Sequence, residues 1–133
     1  MLSALMRRPL TIVALLALTC LAVACGSEEL SLSSSDPNYA GAKLFTERCS
    51  GCHSLKIAGT QGSAVKAQKR EYKDGPNFDQ RKEQYNQILY AIRNGGFSSG
   101  PMPQDIVVGA DAEKVARFIA KYSGDERKTP PAP

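Results

Sequence analysis

The segment CSGCHSL sets Cys49 and Cys52 three positions apart and puts His53 directly after the second thiol. A disulfide, a zinc ion and a porphyrin attached through both sulfurs could each claim these side chains. A structural zinc site needs four ligands. His53 is the chain's only histidine, and the other cysteines, Cys20 and Cys25, fall in an N-terminal segment with its own chemistry. A thioredoxin-type C-x-x-C expects a strand before it and a βαβ pattern around it, whereas the flanking pattern here is helical. A Cys52/His53 nucleophilic pair fits poorly too, because side chains of helix neighbours diverge by about 100°.

The spacing C-x-x-C-H is the attachment signature of c-type haem. Thiols at i and i+3 of a helical turn share a face and can add to the two vinyl groups of one porphyrin edge. His53 then meets the iron from the proximal side. The sixth ligand is approached by elimination. Met1 and Met6 lie in the N-terminal leader, which leaves Met102 in SSGPMPQD, between Pro101 and Pro103. Pro103 biases Met102 toward extended backbone. A loop methionine can also fill a gap under helices. A soft thioether opposite imidazole favours ferrous iron and raises the potential.

The elements that must position these groups follow a leader. MLSALMRR carries Arg7 and Arg8, and the run from Pro9 to Ala24 is uncharged. It is shorter than the roughly 20 residues of a membrane-spanning helix, so residues 1–24 read as a removed secretory signal, with an uncleaved anchor helix as the other reading. LAVACGS resembles the lipobox of bacterial lipoproteins, and the resemblance implies acylation of Cys25 and attachment to a membrane without spanning it. Residues 25–35 are Ser-rich and are expected to form a flexible tether. Removing residues 1–24 takes two of the 17 basic residues and none of the 13 acids, leaving a charge of +2. That balance points to no nucleic-acid partner.

An all-α domain is expected over residues 36–123, with a disordered charged and Pro-rich tail at 124–133. The first helix opens at Asp36-Pro37 and carries Ala40, Leu44, Phe45 and Arg48 toward Cys49. The second is expected from about Asp79 to Asn94, stopped by Gly95-Gly96. The third runs from about Ala110 to Tyr122. No alternating strand pattern stands out, and Ile106 to Gly109 is too short to form one. A domain this small with such long loops needs a staple, and a large apolar cofactor wrapped by the loops would complete its core.

Residues 37–123 resemble a class I cytochrome c domain. Beyond CSGCH, Gly41 and Phe45 match the family's first-helix pattern, in which a small residue lets the C-terminal helix cross closely. Phe118 matches the aromatic packed into that crossing. GPNF, Gly75 to Phe78, matches the loop whose proline carbonyl accepts the proton on the axial histidine's Nδ1. The resemblance therefore implies a Pro76–His53 bond that fixes the tautomer. Pro76 as an ordinary turn residue is the other reading. The stretch between His53 and Pro76 is longer than in compact members of the family. Its basic run, Lys66, Lys69, Arg70 and Lys73, reads either as a docking patch for an acidic redox partner or as a solvated face diluted by Glu71 and Asp74.

The resulting expectation is a membrane-tethered monohaem carrier, exported to the outer face of the bacterial cytoplasmic membrane or the periplasm. It would pass single electrons between redox partner proteins, a donor complex and a terminal oxidase or similar acceptor. A fixed subunit of one complex is a variant of this reading. A haem enzyme or gas sensor with an open sixth position is the alternative from another class. The absence of a second histidine leaves that alternative little distal machinery.

Overall fold

The computed structural model describes residues 29–64 and 67–125. The expected signal with Cys25, Lys66 of the basic run and most of the expected tail lie outside the described residues. Three helices carry the domain: α1 (Tyr39–Arg48), α2 (Tyr85–Asn94) and α3 (Gly109–Tyr122). None of the helices among the described residues is long and apolar enough to cross a membrane.

Helix α1 starts two residues after Pro37, because Asp36 closes a turn first. Its carboxylate accepts the Asn38 N–H at 2.7 Å, and its carbonyl accepts the Tyr39 N–H at 2.9 Å. The same carboxylate takes the Tyr122 hydroxyl at 2.6 Å, pinning the start of α1 to the end of α3. The two helices cross at Gly41. A Cβ there would lie 2.3 Å from the Lys114 carbonyl oxygen and 3.0 Å from Phe118 Cβ, so only glycine permits the approach. Phe45 and Phe118 are fully buried in the crossing, with ring centroids 5.7 Å apart. Burying each contributes about 1.5–3 kcal/mol. Helix α2 buries Ile88 and Ile92 against α3 and ends at Gly95, whose φ of 71° is left-handed, as its stop signal requires.

Sequence and structure part in three places. Residues 79–84, expected as the first turns of α2, are turn and extended backbone because distant partners take their polar groups. Asp79 Oδ1 accepts the Lys56 N–H at 2.8 Å, and Ser123 Oγ accepts the Glu83 N–H at 3.0 Å. A small antiparallel hairpin, β1 (Ser54–Leu55) with β2 (Thr60–Gln61), interrupts the otherwise helical chain. Its two-residue strands are too short for an alternating pattern, and the 3-10 turn Lys56–Ala58 and Gly59 at φ 65° join them. The tether is the third difference. Leu30 and Leu32 pack against the core and the Ser31 N–H donates to the Ile57 carbonyl at 2.9 Å, so residues 30–32 are docked while Ser33 to Ser35 stay exposed.

Candidate haem site

Helix α1 delivers the two thiols. Its last turn continues through Cys49, whose N–H bonds the Phe45 carbonyl at 2.8 Å. The Cys52 and His53 N–H groups then fold back on the Cys49 carbonyl at 3.2 and 3.0 Å. The chain thus makes one more tight turn, and Cys49, Cys52 and His53 all border one cavity. Cys49 and Cys52 are not joined in a disulfide. Burial, and secondarily Cys52, pushes the Cys49 thiol up to about 12.

The imidazole of His53 is held from three sides. Its Nδ1 lies 3.0 Å from the Pro76 carbonyl oxygen, which makes Nδ1 the protonated nitrogen and leaves the Nε2 lone pair for a ligand. Phe78 stacks on the ring at a centroid distance of 4.7 Å and an interplanar angle of 4°. On the remaining side, a Cβ at Gly75 would lie 2.3 Å from Cε1 and 2.7 Å from Nε2, so only a glycine backbone fits. Burial lowers the His53 pKa, offset in part by the bond to Pro76. Residues 75–78 run alongside 52–54. The Gly75 N–H bonds the Cys52 carbonyl at 2.8 Å, and the Phe78 N–H bonds the Ser54 carbonyl at 2.9 Å. Through Phe45, 6.0 Å from Phe78, the stack on His53 continues into the helix crossing.

Two supporting residues are not signalled by the sequence. Ser63 Oγ accepts the Ser54 N–H at 3.0 Å and lies 3.1 Å from the Cys52 carbonyl and 3.2 Å from the Pro76 carbonyl. Gly62 passes so close under the Cys turn that a Cβ would stand 2.2 Å from the Ser50 carbonyl oxygen. A lone Ser and a lone Gly in a polar loop give no spacing to read.

Met102 borders the same cavity, partly buried against the core. Its loop leaves α2 at Gly95-Gly96, and the Met102 thioether lies 3.9 Å from where a Gly96 Cβ would be. Of the basic run, Arg70 and Lys73 reach the cavity rim. Both are locally engaged: Arg70 with the Asp74 carbonyl at 3.3 Å and Lys73 with Glu71 at 3.5 Å. Such exposed pairs contribute about 0–1 kcal/mol.

The family profile described as Cytochrome c matches residues 39–123. The chain belongs to the cytochrome c family. Among solved structures, the c-type cytochrome SorU from Sinorhizobium meliloti is similar. It is 29% identical with a TM-score of 0.51, and the match covers 65% of this chain and 91% of that one. No curated protein sequence matches. The family binds covalently attached haem c, and Cys49 and Cys52 have the required spacing. The residues present fit that group. The cavity is about 400 Å³, within the range of roughly 300–1,000 Å³ usual for cofactor sites. Phe45, Ile88, Ile92, Val115 and Ile119 give it apolar walls, with two thiols, an imidazole and a thioether on its border. Among the described residues no three His, Cys, Asp or Glu side chains form a separate metal cluster.

Proposed function

We propose that this cytochrome c is a membrane-tethered, class I carrier of single electrons. In it Cys49 and Cys52 form the haem thioethers, Pro76 orients His53, and His53 and Met102 ligate the iron axially. The observation that carries this reading is the cavity that Cys49, Cys52, His53 and Met102 border together. Bound haem supplies reversible one-electron exchange at its iron. Were His53 and Met102 both to hold the iron, no coordination position would be left for a substrate, and the protein would exchange electrons with redox partners and transform nothing itself. The donor is a respiratory complex, and the acceptor a terminal oxidase or similar protein. The lipid on Cys25 keeps the domain at the outer face of the membrane, and docking of Leu30 and Leu32 on the core makes the link to that anchor short.

Carbon monoxide distinguishes this carrier from a gas-binding sensor or haem enzyme. The ferrous wild-type protein is expected to bind CO poorly, and Met102→Ala to bind it readily with a lowered midpoint potential. Ready binding by the wild type, or an unchanged potential in the variant, contradicts the assignment of Met102. For the anchor, Cys25→Ser is expected to move the protein from the membrane fraction to the soluble one.

A further inference from the structure

One titratable group on the cavity wall has no part in the electron-carrier reading. Glu83 is 6% exposed and borders the cavity beside Phe78 and Ile88. Its Oε1 is fully buried and meets no hydrogen-bond donor in proper geometry among the described residues. Arg81 Nε stands 2.5 Å away as an ion-pair partner, with its side chain 56% exposed. The backbone that carries the carboxylate is anchored to the end of α3. The Glu83 N–H is held by the buried Ser123 hydroxyl, and Lys82 next to it reaches the Ala120 carbonyl at the end of α3.

Two opposed effects act on a carboxylate in this setting. Burial disfavours its charge and pushes its pKa up, while Arg81 favours the charge. A further negative charge in the same poorly screened cavity tips the balance toward the acid. Reduction of a haem iron delivers such a charge. We propose that Glu83 is a redox-linked proton site: as the iron takes one electron from the donor protein, the Glu83 carboxylate takes one proton from solvent and becomes a carboxylic acid, and oxidation releases both. The inference rests on the carrier reading above. Linkage is reciprocal, so a proton that binds the reduced protein more tightly also favours reduction. The midpoint potential is therefore highest at low pH and falls as pH rises from the Glu83 pKa of the ferric protein to that of the ferrous protein.

The other charged groups near Glu83 are otherwise engaged. Asp79, on its own strap, accepts the Lys56 N–H. Across the cavity, the Asp74 carboxylate accepts the Ala64 and Glu71 N–H groups, among the rim cations Arg48, Arg70 and Lys73. At the end of α3, Lys121 and Tyr122 face Asp36. The first turn of α2 contributes Tyr85 and uncharged Gln87. His53 has its Nδ1 on Pro76.

The test is a spectroelectrochemical titration of the full holoprotein from acidic to alkaline pH, for wild type and Glu83→Gln. The wild-type potential is expected to fall with a slope approaching one proton per electron between two plateaus, and the variant to lose that slope. Reduction-induced infrared difference spectra of the wild type supply a second readout that does not depend on the variant folding. They are expected to gain a protonated-carboxyl band that shifts in heavy water. Retention of the wild-type slope by Glu83→Gln would assign the proton to another group, such as the porphyrin's own carboxylates, and overturn the proposal, as would a spectrum without the carboxyl band. A haem that cycles reversibly with a pH-independent potential overturns this inference alone. A haem that cannot be cycled overturns the carrier reading and this inference with it.

Discussion

The two walls of the cavity are built differently. On the His53 side, residues 52–63 and 75–79 are knitted by a largely buried polar network. Ser54, Thr60 and Ser63 are each under one-tenth exposed, and the Ser54 and Ser63 hydroxyls and amides bond each other reciprocally. Loop 75–78 is tied to the Cys52–Ser54 segment at three points. On the Met102 side, residues 96–104 form an exposed loop tied at its ends. The Gly96 N–H bonds the Ala91 carbonyl, and the Asp105 N–H bonds the Ile92 carbonyl. Between those ties Phe97 is 63% exposed, and Pro101 and Pro103 restrict the backbone in place of hydrogen bonds. An imidazole must be held in one tautomer and one plane, which takes partners on several sides. A thioether has no proton to orient and is flexible, so a restrained approach suffices.

Substitutions that intrude on each wall sharpen this contrast. The largest effect is expected from Gly75→Ala, whose methyl would stand 2.3 Å from the His53 ring with Phe78 stacked on it. Little or no mature haem protein is expected, measured as the ratio of haem absorbance to protein; a normal ratio would mean that the cradle yields. Next comes Ser63→Ala, which leaves the buried Ser54 N–H without its acceptor. Chemical denaturation of the holoprotein is expected to lose about 1–3 kcal/mol. Its counterpart on the other wall, Ser98→Ala, removes an exposed side chain and is expected to stay within about 0.5 kcal/mol of wild type. Equal losses from the two serines would erase the contrast.

A smaller effect, remote from both walls, concerns pH. The Tyr122 hydroxyl, and then the Asn38 amide, hold the Asp36 carboxyl well below the usual carboxylate range. The folded-state value is depressed, so the stabilisation is complete above the ordinary aspartate pKa and drains away as pH falls below it. Asp36→Asn is therefore expected to be less stable than wild type at neutral pH, with the gap narrowing in acid, as followed by denaturation midpoints. A gap that does not change with pH would separate this contact from the stability it is held to give.

The contrast also marks what could be read from the sequence. Cys49, Cys52 and His53 fall within five residues and Met102 is left by elimination, so the groups on the cavity border were legible without any knowledge of the fold. Gly41, Phe45 and Phe118 were legible through the family resemblance, and the helix crossing is where that resemblance puts it. Features that depend on partners distant in sequence were not legible. Asp79 and Glu83 read as helix because the groups they bond, the Lys56 N–H and the Ser123 hydroxyl, are 23 and 40 positions away. Leu30 and Leu32 sit in the Ser-rich stretch expected as a tether, and the surface they cover is assembled from the rest of the chain. The hairpin at 54–61 has too few residues per strand to show a period.

The absorption spectrum of the ferric holoprotein tests the central claim, axial ligation by His53 and Met102, most directly. The account predicts a low-spin spectrum with the weak far-red band of methionine-sulfur ligation, lost in Met102→Ala. A high-spin spectrum in the wild type, or a far-red band that survives the substitution, would contradict it.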